Sequence, residues 1–359
     1  MKKIVLTGGG TAGHVTPNIA LLPALQAAGY EIAYVGSYEG IEKKLIADFN
    51  IPYTGISTGK FRRYLDPKNF SDPFRVMKGF VEARNYLKNY QPDVVFSKGG
   101  FVSVPVVRAA ASLHIPCIIH ESDMTPGLAN KLCIPVAEKV CCNFPETMKS
   151  IPADKAVLTG SPIRAELAQG SRLAGLNMCG FTANKPVIMV IGGSLGAANV
   201  NKAVRDALPK LLEDFQVVHL CGKDKIDNLL LNTPGYKQFE YIKSELKDIF
   251  AMADVVISRA GANAICELLA LKKPNILIPL PAASSRGDQL LNAASFEAQG
   301  YSIVLNEDDI TTNLLVDKVH ELYFNRQNYV EAMSRSHQMD AINTIMALIN
   351  EAANKSPKQ

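Results

Sequence analysis

No stretch of the 359-residue chain reaches the roughly 18 uninterrupted apolar residues of a membrane-spanning helix, because Arg108, Lys131 and Lys139 break its most apolar regions. A chain that crosses a bilayer is excluded. The start, Met1-Lys2-Lys3 followed by Ile4-Val5-Leu6 and three glycines, holds too short an apolar run for a signal peptide, so the cytosol is the expected compartment. Any C-x-x-C pair is also missing. The seven cysteines (Cys117, Cys133, Cys141, Cys142, Cys179, Cys221 and Cys266) are odd in number and mostly sit in apolar runs, which reads as reduced core thiols rather than a zinc site. No glycine loop ends in the Lys-Ser/Thr of a P-loop, and no Asp-x-Asp occurs, which argues against ATP hydrolysis around a carboxylate-held magnesium. No metal and no cofactor are expected. A net charge of +4 is too weak to imply nucleic acid.

What is present is a globular composition, 47% hydrophobic and 20% charged, in a chain too long for one ordinary core. Two domains are the starting expectation. Short β-branched runs alternate with helical patterns, the signature of parallel sheets covered by helices. Strands are predicted at residues 3–7, 31–35, 94–97, 116–120, 139–142 and 156–159. A second series follows at 186–191, 216–221, 255–258, 275–279 and 301–305. The halves begin alike: Ile4-Val5-Leu6-Thr7-Gly8-Gly9-Gly10 is matched by Val187-Ile188-Met189-Val190-Ile191-Gly192-Gly193-Ser194. Gly160-Ser161-Pro162 ends the first sheet, and the hinge is placed at residues 160–164. The segment 329–353 reads as helix with no strand after it, free to dock on either domain.

Gly8, Gly10 and Gly13 satisfy G-x-G-x-x-G between a strand and a helix, the dinucleotide-binding fingerprint. The acid expected at the end of the second strand is absent, since that strand ends in Val35-Gly36-Ser37 with Glu39 beyond it. The loop also carries Thr11 and His14. His14 reads either as a general base near neutral pH or as a cap of the following helix. The loop Gly192-Gly193-Ser194-Leu195-Gly196-Ala197 places free amides at a helix N-terminus, where phosphate is the natural guest. A third element, from Ser258-Arg259-Ala260-Gly261 to Ala262-Asn263-Ala264 and Glu267, opens another helix with an acid one turn inside, suited to two ribose hydroxyls or simply solvated. Three such strand ends point to a nucleotide.

Together with Lys98-Gly99-Gly100-Phe101, His120-Glu121, Ser161-Pro162-Ile163-Arg164 and Asp288-Gln289-Leu290-Leu291-Asn292, these motifs recur in order in the MurG family of bacterial N-acetylglucosaminyltransferases, glycosyltransferase family 28, which the chain resembles over essentially its full length. The resemblance implies an α/β fold of GT-B type: two Rossmann-like parallel-sheet domains facing a cleft, with a C-terminal helix crossing back to the first. The implied division is 1–162 for the lipid-linked acceptor, 163–335 for UDP-N-acetylglucosamine, and 336–359 for the returning helix. It implies an inverting transfer of N-acetylglucosamine from UDP to lipid I, making lipid II for peptidoglycan. His14 and Glu121 are the implied catalytic residues. Thr11, Ala12, Gly13, Arg164, Ser194, Ala262, Asn263, Ala264, Glu267, Gln289 and Asn292 are implied to bind the donor, Glu267 on the ribose and Gln289 and Asn292 on the sugar, while backbone at Ile242-Lys243 reads the uracil. Two departures from the family pattern stand out: Ala12 stands for a glycine, and Ser122-Asp123 stands for Gln-Asn. Another UDP-sugar enzyme of the same architecture (a UDP-N-acetylglucosamine 2-epimerase or a glycolipid synthase), a nicotinamide-dependent oxidoreductase and a non-catalytic nucleotide-binding partner of the cell-wall machinery stand as alternatives.

The positive charge is local. Residues 60–88 gather Lys60, Arg62, Arg63, Lys68, Arg75, Lys78, Arg84 and Lys88 among Phe61, Tyr64, Phe70, Phe74, Met77 and Phe80. Such a mixture suits anionic lipid head groups or an ordinary amphipathic helix with its apolar side in the core. With a lipid-linked acceptor implied, peripheral contact with the cytoplasmic side of the cell membrane is the expectation.

Overall fold

The computed structural model describes residues 1–59, 68–192, 197–282 and 287–355, the side chains of 68–73, 337 and 339 excepted. Ser194, and Lys60, Arg62 and Arg63 of the basic stretch, lie outside the described residues, as does the side chain of Lys68. The chain divides into two units, Met1–Arg164 with Asp340–Gln359, and Ala165–Met339.

The first unit holds seven parallel strands: β1 (Lys2–Thr7), β2 (Tyr30–Ser37), β3 (Tyr53–Ile56), β4 (Val94–Ser97), β5 (Cys117–Glu121), β6 (Lys139–Cys142) and β7 (Ala156–Leu158). Their order is β3-β2-β1-β4-β5-β6-β7. Helices cover both faces, which is why Ile4, Val5, Leu6, Val94, Val95 and Phe96 are all fully buried and read as unbroken apolar runs. The second unit repeats the plan with β8 (Val187–Ile191), β9 (Gln216–Leu220), β10 (Tyr236–Phe239), β11 (Val255–Ser258), β12 (Asn275–Leu277) and β13 (Ser302–Val304), ordered β10-β9-β8-β11-β12-β13. Each sheet reverses its direction of winding beside its first strand, between β1 and β4 and between β8 and β11. Such a switch point is where the loops at the carboxyl ends part and leave room for a ligand.

Two strands escape the sequence pattern, β3 and β10. Both lie at a sheet edge, where one flank has no partner strand, and their sequences, Tyr-Thr-Gly-Ile and Tyr-Lys-Gln-Phe, are only partly apolar. The C-terminal segment is interrupted rather than continuous: helices run Arg326–Ser334 and Ala341–Lys355, with a 3-10 turn at His337–Asp340 between them. The last helix packs on the first unit, where Ile345 and Ile349 are fully buried with Leu21, Leu25 and Tyr34. Each isoleucine contributes about 1.5–3 kcal/mol by burial. The Tyr30 hydroxyl donates to Asn350 Oδ1 at 2.8 Å, and Lys2 Nζ donates to Asn354 Oδ1 at 2.7 Å.

All seven cysteines are buried. Among the described residues, no helix is long and apolar enough to cross a membrane, and no group of three or more His, Cys, Asp or Glu side chains is placed to hold a metal ion.

Candidate functional sites at the two switch points

In the first unit the loop after β1 runs through Gly8, Gly9, Gly10 and Thr11 into a 3-10 turn at Ala12–His14 and the helix Thr16–Ala27. Ala12 opens that turn with negative φ, so the departure from glycine costs no strain. Gly100, after β4, has φ +86, and a Cβ there would collide with the Gly9 carbonyl oxygen and come within 3.2 Å of His14 Nδ1. Only glycine lets the loops after β1 and β4 close on each other, and Gly9 N donates to Gly99 O at 3.3 Å.

His14 sits where they meet. Its Nδ1 lies 3.1 Å from the Gly9 carbonyl oxygen and 3.2 Å from Thr11 Oγ1. A carbonyl only accepts, so Nδ1 carries the hydrogen and Nε2 keeps the lone pair. Burial, aided by the Lys98 charge and opposed by the Gly9 hydrogen bond and Glu42, lowers the imidazole pKa to about 4. The ring is therefore neutral at pH 7, with a proton-accepting nitrogen.

Behind His14 lies a buried polar layer. Lys98 is 1% exposed, and its ammonium donates to His120 Nδ1 at 2.9 Å and to the Ser122 hydroxyl. Glu121, at the end of β5, is 3% exposed and receives three donors: Asp123 N at 2.9 Å on Oε1, and Gly127 N at 3.0 Å and Asn130 Nδ2 at 2.8 Å on Oε2. Asn130 Nδ2 also donates to His120 O at 3.1 Å. Its carboxylate thereby organises the turn at residues 121–130.

In the second unit the loop after β8 begins at Gly192, where a Cβ would stand 2.8 Å from Ala197 N. Gly192 thus lies against the residue that precedes the helix Ala198–Asp214. After β11, Gly261 caps the helix Ala262–Ala270, so Ala262, Asn263 and Ala264 form its first turn, and Glu267 lies further in. Arg259, 8% exposed, donates from Nη1 to Ile278 O at 3.0 Å and Pro279 O at 3.2 Å, and its Nη2 pairs with Glu307. Glu307 Oε1 accepts from Asn199 Nδ2 at 2.6 Å. This one guanidinium therefore ties the ends of β11 and β12 to the helix that follows β8.

The two polar residues expected on the donor sugar have bonds of their own. Gln289 Oε1 accepts from Leu280 N at 3.1 Å, and Asn292, 1% exposed, donates from Nδ2 to Ala260 O at 3.2 Å. Asn292 therefore braces the loop after β11 from the helix Asp288–Ala298. Ile242 is buried, and the Lys243 carbonyl accepts from Leu246 N at 3.3 Å. Arg164 is the last residue of the first unit's N-terminal segment. The helix Lys68–Tyr90 presents Phe74, Met77 and Val81 to solvent at 78%, 64% and 51% exposure. These residues fall on one stripe at helical spacing.

Residues 4–142 match the glycosyltransferase family 28 N-terminal domain, and residues 187–348 match the glycosyltransferase family 28 C-terminal domain. The chain is 64% identical over 351 residues to a "UDP-N-acetylglucosamine--N-acetylmuramyl-(pentapeptide) pyrophosphoryl-undecaprenol N-acetylglucosamine transferase" of Lachnospira eligens, covering 98% of this chain and 99% of the relative. It is 56% identical, over the same shares, to a protein of the same description from Clostridium botulinum. Among solved structures, MurG of Acinetobacter baumannii superposes with a TM-score of 0.78 at 29% identity, covering 98% of this chain and all of that one. A UDP-GlcNAc 2-epimerase of Neisseria meningitidis, at 14% identity and a TM-score of 0.69 over 98% of this chain and all of that one, shares the fold alone.

Proposed function

The chain belongs to glycosyltransferase family 28, and from that membership we propose that it moves N-acetylglucosamine from UDP-N-acetylglucosamine to the C4 hydroxyl of the muramoyl sugar of lipid I, producing lipid II with inversion at the anomeric carbon. The observation that carries this reading is full-length identity of 64% and 56% to two transferases so described. The paired switch-point sites supply the chemistry it needs.

His14 Nε2 is the proton acceptor for the attacking hydroxyl, since Nδ1–H is committed to Gly9 and the ring stays neutral at working pH. Thr11, Ala12 and Gly13 line the donor sugar. Arg164, Ser194 and the amides at residues 262–264 take the diphosphate as charge builds on the leaving group, with no metal required. Glu267 holds the ribose, backbone at Ile242-Lys243 reads the uracil, and Gln289 contacts the sugar. Asn292 and Glu121 act through the loops they brace. A nicotinamide reading finds no support, because β2 ends in Ser37 and the carboxylate nearest the loop, that of Glu42, is buried beneath it.

The acceptor brings the protein to a lipid surface. Phe74, Met77 and Val81, with Arg75 beside them, form the face proposed to lie on anionic head groups of the cytoplasmic leaflet. The deciding experiment is transfer of labelled N-acetylglucosamine to a lipid I analogue without added metal; a purified protein that binds UDP-N-acetylglucosamine but makes no disaccharide overturns the reading. Flotation with anionic liposomes tests the surface: Phe74→Ser/Arg75→Glu is expected to lose binding, and equal binding refutes it.

A further inference from the structure

The buried carboxylate of Glu42 has no place in the chemistry above. It comes from the short helix Ile41–Ile46 that follows β2, is fully buried, and lies directly under the glycine loop. Its Oε2 accepts from Gly10 N at 3.2 Å, and its Oε1 accepts from Ser37 N at 2.9 Å and from the Ser37 hydroxyl at 2.5 Å. A carboxylate desolvated this completely persists only with such donors.

Three glycines are shaped around it. A Cβ on Gly9 would fall 2.5–2.7 Å from the carboxyl group, one on Gly36 would fall 2.8 Å from Glu42 Cγ, and one on Gly40 would strike Oε1. None of the three has positive φ, whereas Gly8 and Gly10 do. Backbone conformation therefore does not call for glycine at positions 9, 36 and 40. Room for the Glu42 side chain does so alone at position 9, and together with the Tyr53 ring at position 36 and the Ser37 hydroxyl at position 40.

The residue gripped from below is the one that grips His14 from above. Gly9 sits on the carboxylate, and its carbonyl faces His14 Nδ1 at 3.1 Å. Gly10, whose amide is held by Glu42, is the next link of the same loop. We propose that Glu42 is a positioning residue for the transfer reaction, holding the Gly9 carbonyl against His14 Nδ1 and so keeping Nε2 as the nitrogen that accepts the proton. The inference rests on the reading of His14 as the base. The charged groups acting on His14 are Lys98 from the end of β4 and Glu42 from below, the first lowering and the second raising its proton affinity.

Replacing one carboxylate oxygen by an amide turns an acceptor into a donor facing Gly10 N–H or Ser37 N–H, so Glu42→Gln should loosen the loop without emptying its seat. The test uses the full chain labelled with 15N-histidine. Ring-nitrogen shifts of wild type are expected to show His14 protonated at Nδ1, and Glu42→Gln to show a mixture of tautomers. With it, kcat should fall on the order of 10- to 100-fold through misplacement of the base, while KM for UDP-N-acetylglucosamine stays within about twofold. Should Glu42→Gln fail to fold, Gly9→Ala, which pushes a methyl against the carboxyl, must show the same tautomer change and the same split. A wild-type tautomer in the folded variant, or a loss confined to KM, overturns the proposal. The ring shifts are read without any turnover, so an inactive wild type would count against the transferase reading and leave this result standing.

Discussion

The buried ammonium of Lys98 donates to Nδ1 of His120 across 2.9 Å, and the opposite ring nitrogen, Nε2, lies 2.9 Å from the carbonyl of Gly160. Since ammonium only donates and carbonyl only accepts, His120 is held as the neutral Nε2–H tautomer. Burial and the Lys98 charge together push its pKa well below the ordinary histidine value. The pair ties the ends of β4 and β5 to Gly160, two residues beyond β7, where the first sheet is left behind.

Lys98→Met removes the donor and leaves the buried His120 Nδ1, with the half-buried Ser122 hydroxyl, without it, which should cost about 1–3 kcal/mol. The Lys98 charge also helps lower the His14 pKa, so its removal should raise that pKa from about 4 toward neutrality. Urea denaturation reads the first effect and an NMR titration of the His14 ring the second. A His14 pKa that stays put refutes the electrostatic link.

Acid should destabilise both units through three histidines, His120 and His219 buried and His14 half-buried. His14, His120 and His219 have folded pKa values below the ordinary value, about 4 for His14 and about 3 for His219. In the window below about 6.5 the unfolded chain takes up protons that the folded chain refuses, so stability is full above that pH and is lost as pH falls, at about 1.4 kcal/mol per unit for each histidine. His219 is fixed between the Tyr236 hydroxyl at 2.9 Å and Asn201 Oδ1 at 3.0 Å, so it carries this loss in the second unit. Denaturation curves at pH 7.5 and 5.5 should differ accordingly, and coincident midpoints would contradict the account.

Glu121→Gln replaces one of two oxygens that together accept three donors, leaving a donor facing a donor. A loss of about 1–3 kcal/mol in the first unit is expected. Binding of UDP-N-acetylglucosamine, measured by calorimetry, should be unchanged, whereas a Glu121 that contacts donor would weaken it.

His14→Ala and Glu267→Ala should separate chemistry from donor binding. The first is expected to lower kcat by about 10²–10⁴ with little change in donor affinity. The second is expected to raise KM for UDP-N-acetylglucosamine by about tenfold or more, the loss of a charged hydrogen-bond acceptor. With a pKa of about 4, His14 places no acid limb near pH 6.5 in the kcat profile of wild type. A limb there that vanishes in His14→Ala would show the ring to be far more basic than its surroundings imply.

The central strands were legible because strands buried on both faces are continuous β-branched runs, and β1, β4, β8 and β11 lie within a residue of their predicted places. The edge strands β3 and β10 were not, because a strand with one free flank carries polar residues that a run of apolar letters cannot reveal. Glycine loops announce themselves by composition. Glu42 does not: in Ile-Glu-Lys-Lys-Leu-Ile it reads as one more solvated helix acid, and only the glycines at 9, 36 and 40, scattered along the chain, hinted that something bulky had to fit among them. Gln289 and Asn292 stood out as polar residues, yet which backbone group a side-chain amide meets, Leu280 N–H for one and the Ala260 carbonyl for the other, is invisible in the letters.

By itself, the sequence determined the doubled α/β plan, the glycine loops after β1, β8 and β11 and the helical tail, since these depend on periodicity, turn chemistry and side-chain size over a few neighbouring residues. Tertiary structure alone decided how the polar groups spend their hydrogen bonds. Glu42 reaches Gly10 across 32 residues, Lys98 reaches His120 across 22, and His120 reaches Gly160 across 40. The strand order sets β1 beside both β2 and β4 and lines β5 beside β4, bringing loops distant in the chain to one end of the sheet. Once water is excluded there, each donor must take whichever acceptor the topology delivers.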